Sequence, residues 1–398
     1  MTTTYKPSKI CIVAGHICLD VIPAINEVGD FASTFRPGRL IETGPVLMAT
    51  GGAVSNTGQT LYKLGIDTRL MGKIGNDAFG QATLDIIQRL APHLTGGMHI
   101  TPDEASSYTI ILSPPGTDRL FLHCPGPNDT FGANDIDYDG LEQADLFHFG
   151  YPPLMKRFYQ DDGAELITMF RRAKSTGVTT SLDMAMPDPN APSGQANWPV
   201  ILKNTLPFVD LFVPSIEEVL LTLYPDIFAQ VSEGETPITP QLMSNIATDL
   251  LAMGAKIVLL KAGHLGMYLR SADAARLQQA GRAQPLDTAR WANREFWVPN
   301  FQTKAVGTTG AGDSAIAGFL AALLRDLSPA ESVTVAAAVG ACNVEAHDAL
   351  SGIRSWEETI ARINAGWPRP QLDLDSPGWR FDTTRQLWLG PHDALNKE

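Results

Sequence analysis

The chain has 398 residues with 44% hydrophobic content, enough for a sizeable core, and a length that suits one large α/β core with a small appended element as well as two full domains. Its 43 acidic against 30 basic side chains give a formal charge of −13, which argues against binding nucleic acid or an anionic membrane surface, where lysine and arginine must replace counterions. Cysteines at 11, 18, 124 and 342 lack C-x-x-C spacing, the histidines form no H-E-x-x-H arrangement, and neither a signal-like apolar core nor a long apolar run occurs; the expectation is free thiols in a cytoplasmic protein without a zinc site.

In chain order, Ile10 to Ala14 reads as a first strand, and Ile22 to Met48 as a β-ribbon turning at Arg36-Pro37-Gly38. Ala53 to Leu64 has helical spacing and stops at Gly65. A second helix, Phe79 to Leu90, repeats apolar residues at 79, 82, 86, 87 and 90. Ser106 to Pro127 is a second ribbon, turning at Pro114-Pro115-Gly116-Thr117-Asp118. Apolar runs then recur at Asp145 to Phe149, Val178 to Leu182, Leu211 to Val213 and Lys256 to Leu260, with a helix from Leu242 to Met253 that stops at Gly254. Polar Ser271 to Arg294 reads as a loop, Ser314 to Leu324 and Ser328 to Ala349 as small-residue helices, and Trp379 to Leu389 as a terminal hairpin. This alternation predicts an α/β fold: a doubly wound, mostly parallel sheet flanked by helices, with the two ribbons pairing as a small β-sheet lid. The expected division is a core of 1–21, 49–105 and 129–365, a lid of 22–48 and 106–128, and a C-terminal extension of 366–398.

Gly307-Thr308-Thr309-Gly310-Ala311-Gly312-Asp313 opens the helix at Ser314. Unpartnered N–H groups and the dipole at a helix start hold an anionic phosphate without any cationic side chain, and glycines let the backbone come close. Asp313, on the positive end of the same helix, can accept a proton from an attacking hydroxyl, weakly, which suffices where positioning and charge stabilisation dominate, as in phosphoryl transfer. The simpler reading is a capped helix whose Asp313 only complements the dipole. Gly310, Gly312 and Ala315 also satisfy the spacing of a dinucleotide turn, with Glu331 as the ribose acid, but Ser328 to Ala349 reads as a helix where that motif needs a strand.

A second constellation comprises Gly51-Gly52, Asn56, Leu64-Gly65 and Gly72-Lys73-Ile74-Gly75-Asn76-Asp77-Ala78-Phe79-Gly80. Together with Gly310 to Asp313, these match in order and approximate distance both signature regions of the PfkB, or ribokinase-like, carbohydrate kinases, and the chain resembles that family from about Lys9 to Arg354. Thr109 to Asn128 looks like the family's lid strand, and Lys261-Ala262-Gly263-His264-Leu265-Gly266 like its nucleotide-side strand end. The resemblance implies that Asp313 is the general base, that the N–H groups of Gly310, Ala311 and Gly312 form the anion hole, and that ATP is the donor with Mg2+. It further implies that Asp20, Gly51, Gly52, Asn56 and Asn128 bind the acceptor, and that Lys261, Gly263, Gly266, Thr308 and Asn343 line the nucleotide. A monovalent cation near His347 to Gly352 is left open. The alternative readings are a turn residue for Asp20, a surface amide for Asn56, a solvated strand-end lysine for Lys261, a solvated hairpin arginine for Arg119 and a core histidine for His148.

Two departures stand out. Ser215-Ile216-Glu217-Glu218 replaces the Asn-x-x-Glu that organises magnesium in many relatives, leaving Glu218 as an indirect metal residue. Met184-Ala185-Met186-Pro187 follows Asp183 in place of the family's Asp-Pro-Asn-x-Arg run. No Walker A pattern is present, since Ile74 follows Gly72-Lys73. The expected activity is phosphorylation of a primary hydroxyl of a sugar or sugar-like molecule, with a homodimer formed through the lid. A nucleoside kinase, with Phe31, Phe35, Met48 and Phe131 walling the base, is the alternative, and a catalytically silent sugar-binding protein on the same fold is a third reading.

Overall fold

The computed structural model describes residues 9–25, 35–113, 120–374 and 376–396. Its strands are β1 (Ile10–Gly15), β2 (Cys18–Pro23), β3 (Val46–Gly51), β4 (Asp67–Gly75), β5 (Gly97–Thr101), β6 (Tyr108–Leu112), β7 (Leu120–Cys124), β8 (Leu146–Gly150), β9 (Thr179–Asp183), β10 (Leu211–Phe212), β11 (Ile257–Lys261), β12 (Met267–Ser271), β13 (Glu295–Val298), β14 (Arg380–Asp382) and β15 (Leu387–Leu389). The principal helices are α1 (Ala53–Lys63), α2 (Ala78–Leu90), α3 (Ala164–Ser175), α4 (Ile216–Leu223), α5 (Pro240–Met253), α6 (Ala311–Leu324), α7 (Pro329–Asn343) and α8 (Trp356–Asn364).

The large sheet has the order β14-β15-β13-β12-β11-β10-β9-β8-β1-β4-β5. From β5 to β11 all neighbours run parallel, and from β11 to β14 all run antiparallel. Central strands are apolar at nearly every position because both faces are covered. In β1, Cys11 and Val13 enter one core with Val54, Leu61, Phe319 and Leu320, while Ile12 and Ala14 enter the other with Phe147, Phe149, Phe170 and Leu260. The larger of these, the Val, Ile, Leu and Phe side chains, each contribute about 1.5 to 3 kcal/mol on burial. The chain leaves β1 outward to β4 and β5 and returns to β8 on the other side, so the strand order reverses at β1. In open α/β sheets the crevice beyond the carboxyl ends of such strands is where ligands bind. Gly15, Gly75, Gly150, Asp183 and Lys261 all end strands on that edge.

A smaller sheet of order β3-β2-β6-β7 lies beside the core. Its register aligns Ala49, Asp20, Thr109 and His123 in one row across four strands.

Local signals account for several helix ends. Asp77 caps α2 by accepting from the Gly80 N–H at 2.8 Å, and Thr239 caps α5 with Pro240 at its first position. α7 opens with a Ser328–Glu331 capping box, so Glu331 is spent on a helix start. Because α7 follows α6 directly, there is no second strand for a dinucleotide-binding unit. α7 stops at Asn343, six residues earlier than the composition suggests. The chain then turns on Asp348, whose Oδ1 accepts from the N–H groups of Leu350 (2.8 Å) and Ser351 (2.7 Å).

Residues 271–294 are not a plain loop. They form two short helices, Ala274–Leu277 and Thr288–Trp291, that bury Leu277 and Trp291 in the core, with Ala283 buried between them. Arg282 anchors the segment by donating to the carbonyls of Ala144, Thr176 and Leu141. The tail hairpin extends the large sheet by pairing β15 with β13. Asp393 there accepts from Arg294 Nε and the Glu295 N–H, each at 2.9 Å.

Candidate active site

Gly310 caps α6 in the left-handed conformation (φ 71), and a methyl group on it would sit 2.6 Å from Ala349 Cβ; only glycine fits this turn. Asp313 follows on the first turn of α6 and is buried. Asn56 Nδ2 donates to its Oδ2 at 3.0 Å and Thr57 Oγ1 to its Oδ1 at 3.3 Å. The Tyr151 hydroxyl donates to both oxygens, at 2.8 and 2.7 Å. α1 and α6 therefore bring two helix starts to one place, which favours negative charge between them. Burial raises the Asp313 pKa, opposed by the bonds from Asn56 and Tyr151, the charge of Lys261 and the bond from Thr57. Desolvation outweighs these bonds and the Lys261 charge, so Asp313 is a stronger base than an ordinary aspartate.

Lys261 ends β11 and is buried, with Nζ donating to Asp183 Oδ1 at 2.8 Å. A methyl group on Gly312 would lie 3.5 Å from Nζ, so the ammonium stands beside the glycine turn rather than in solvent. Burial alone would lower its pKa, but Asp183, Glu218 and Asp313 outweigh this and raise it, so the lysine stays charged. Glu218 sits on the first turn of α4, where its Oε2 accepts from the Ser215 N–H at 2.8 Å. Three carboxylates thus face one ammonium. Among the described residues no group of three His, Cys, Asp or Glu could hold a metal ion by itself.

Across the cleft, Asp20 on β2 is buried against Gly51, where a methyl group would lie 2.5 Å from its Oδ2. Burial, opposed by bonds from Cys18 and Thr109, pushes the Asp20 pKa up to about 6. Gly52 (φ 86) precedes α1, and a side chain there would strike the His16 carbonyl at 2.4 Å. His16 Nε2 lies 3.4 Å from His123 Nε2 on β7, and His123 Nδ1 lies 3.0 Å from Thr109 Oγ1. Burial holds the His16 pKa down at about 3, so the imidazole is neutral.

Some expected residues stand elsewhere or do other work. Asn128 is buried and its amide is committed to backbone: it donates to the carbonyls of Ile17 and Pro125, both at 2.9 Å, and accepts from the Ile17 N–H at 3.0 Å. It fastens the Gly126–Asp129 turn to the start of β2. Asn343 is buried at the end of α7 and donates to the Ala349 carbonyl at 2.7 Å, bracing the residue that packs on Gly310. Gly263 (φ 52) and Gly266 (φ 102) shape the turn between β11 and β12; a methyl group on Gly266 would meet the Val298 carbonyl at 2.1 Å. Thr308 precedes the glycine turn. Ser181 Oγ lies 2.9 Å from His148 Nδ1, and His148 is a core residue. Phe131 is buried against Phe158, removed from any base-stacking wall. Arg119 and Phe31 lie outside the described residues.

Motif reading missed Tyr151, Thr57, Asp183, His16 and His123 as members of this cluster. One signal was present, since Gly15-His16, Gly150-Tyr151 and Leu182-Asp183 all mark strand ends, and strands that run parallel end on one edge.

Ribokinase of Arabidopsis thaliana, solved with ribose and ATP, shares the fold at a TM-score of 0.66 and 18% identity, over 89% of this chain and 98% of that one; the architecture is ribokinase-like. The description "pfkB family carbohydrate kinase" is matched over residues 11–356. An uncharacterised sugar kinase of Archaeoglobus fulgidus is 27% identical over 74% of this chain and 97% of its own length. Fructokinase-2 of rice, Oryza sativa, is 23% identical over 80% of this chain and 81% of its own length. The chain belongs to the PfkB family of carbohydrate kinases, and its activity is that of a phosphotransferase with an alcohol group as acceptor.

Proposed function

We propose that this kinase phosphorylates a primary hydroxyl of a sugar or sugar-like small molecule, with ATP as donor, Asp313 as general base and Gly310, Ala311 and Gly312 as anion hole. The observation that carries the reading is the buried Asp313 carboxylate on the first turn of α6, with the Lys261 ammonium beside the glycine turn. The acceptor would lie between this turn and the small sheet, with its hydroxyls at Asp20, Asn56 and the backbone of Gly51 and Gly52. A neutral polyol needs such fixed acceptors and amides. Named sugar kinases and fructokinases among the relatives favour a sugar over a nucleoside.

Asp313 would accept the proton of the attacking hydroxyl, and the N–H groups of the glycine turn together with Lys261 would take up the charge on the phosphoryl oxygens. Lys261, Gly263, Gly266 and Thr308 would border the nucleotide. Asn343 would act indirectly, through Ala349. ATP supplies the phosphoryl group, and Mg2+ neutralises its phosphates. The residues fit such a cation, since Asp183, Glu218 and Asp313 share one ammonium and burial raises the pKa of all three, a cost to their ionised forms that a cation would relieve, and magnesium is commonly held by one or two carboxylates with phosphates and water. Asp183 and Glu218 are the carboxylates available. The small sheet would serve as the lid over the acceptor, excluding water from the base. Its exposed edges would pair with a second copy of the chain.

Asp313→Asn tests the reading. Sugar-dependent ADP release should fall by roughly 10² to 10⁴ while ATP still binds. Unchanged turnover rejects Asp313 as base, and absence of turnover by the wild-type protein across a panel of sugars rejects the substrate class.

A further inference from the structure

Asp313 is held by three protein donors. An ionised carboxylate offers about four lone-pair directions; Asn56 and Thr57 each bring one hydrogen to it, and the single hydroxyl hydrogen of Tyr151 is shared between both oxygens. An acceptor hydroxyl therefore competes with these donors for an oxygen. Asn56 and Thr57 each make one contact from the body of α1, whereas Tyr151 spans both oxygens and alone can free one while keeping the other.

Tyr151 is built to hold that place. Its backbone is left-handed (φ 72), a region that costs a bulky residue energy and persists only where the surroundings enforce it. Here Tyr151 N–H donates to the Asp183 carbonyl at 3.4 Å, and the Tyr151 carbonyl accepts from Leu154 N–H at 3.0 Å. Pro152 and Pro153, both buried, follow immediately. Freedom is thus confined to the side chain, which lies beside His16 with ring centres 6.1 Å apart.

We propose that Tyr151 is the positioning residue of the base: its phenol orients the Asp313 carboxylate, keeps it ionised, and yields one oxygen to the acceptor hydroxyl as that hydroxyl binds. This rests on Asp313 being the base. The other polar or charged groups acting on Asp313 are Asn56 and Thr57 from α1, Lys261 from β11, Asp183 from β9 and Glu218 from α4. Burial and the neighbouring Asp313 charge push the Tyr151 pKa well above its ordinary value, so the phenol remains a donor.

The test is the titration of Asp313 itself, followed by carbon NMR in protein labelled at aspartate carboxyls, with Asp313→Asn identifying the signal. Tyr151→Phe removes the donor and should raise the Asp313 pKa by about one pH unit or more. Placing 3-fluorotyrosine at 151 keeps the shape and strengthens the donor, so it should lower the pKa. This second variant also serves if Tyr151→Phe unfolds. With D-fructose and saturating ATP, the acid limb of kcat should move in the same directions, whereas a purely structural role would leave that limb in place. An Asp313 titration unmoved by the substitutions overturns the proposal. Lack of turnover with any sugar would instead overturn the kinase substrate reading, while the titration still decides the role of Tyr151.

Discussion

Asp20 is a carboxylate placed where its charge is poorly solvated, and its titration is linked to stability. Its pKa rises from an ordinary 3.8 to about 6 in the fold. Between those values the folded protein binds more protons than the unfolded chain, so the contribution is full below about pH 4 and is lost as pH rises through about 6. The loss is on the order of 3 kcal/mol. Thermal unfolding of the acceptor-free protein should show this decline, and Asp20→Asn should abolish it; identical profiles for the two proteins would remove Asp20 as the cause. An ionised Asp20 that is under-solvated when the site is free has most to gain from acceptor hydroxyls, which fits a carboxylate reserved for a ligand.

Strand ends, more than loops, build the site. Gly15 (φ 128) closes β1 against β8 so tightly that a methyl group would lie 2.3 Å from the Gly150 carbonyl. A methyl group on Gly150 would in turn lie 2.2 Å from Ala53 Cβ. These contacts set β1, β8 and α1 close together, which puts His16 beside Tyr151, and Tyr151, Asn56 and Thr57 on Asp313. Gly15→Ala combines left-handed strain with overpacking and should cost roughly 2 to 4 kcal/mol. Denaturant titration measures that cost. Turnover should fall further than the unfolded fraction explains, because Tyr151 is displaced; full activity of the folded variant would show that the spacing is not critical. The same packing explains α6 and α7: Gly318 faces Val339, where a methyl group would lie 3.0 Å from Cβ, and small residues on both helices allow this approach.

In the whole molecule the two sheets manage their edges differently. The large sheet is extended at one side by the tail hairpin, which is locked by the buried Arg294–Asp393 pair. The small sheet ends in β3 and β7, which carry exposed apolar side chains, among them Leu47 at 48% and Leu122 at 51%. Edge strands with apolar side chains are templates for pairing, and under the proposed dimer a second copy of this chain would offer the matching surface by two-fold symmetry. Light scattering should report the mass of two chains. Leu122→Lys, which places a charge on the edge, should shift it toward one. A wild-type monomer at working concentration would refute the arrangement.

Periodicity and glycine spacing in the sequence determined the doubly wound sheet, the smaller ribbon sheet and the turn from Gly310 to Asp313, because these depend on local conformation and on which faces are apolar. Asp313 could be singled out because its motif is contiguous. Tyr151 and Asp183 were marked only as strand ends, and Thr57 and His123 carried no mark, since all four meet Asp313, Lys261 and His16 only through strand order and register. The segment 271–294 reads as polar, yet Leu277, Ala283 and Trp291 are buried in the core and Arg282 ties the segment to distant carbonyls. The Asp313 pKa was likewise a tertiary decision: its place at a helix start can be read from the sequence, but the burial that raises its pKa, and the Asn56, Tyr151, Lys261 and Thr57 groups that oppose the rise, come from elements distant in the chain.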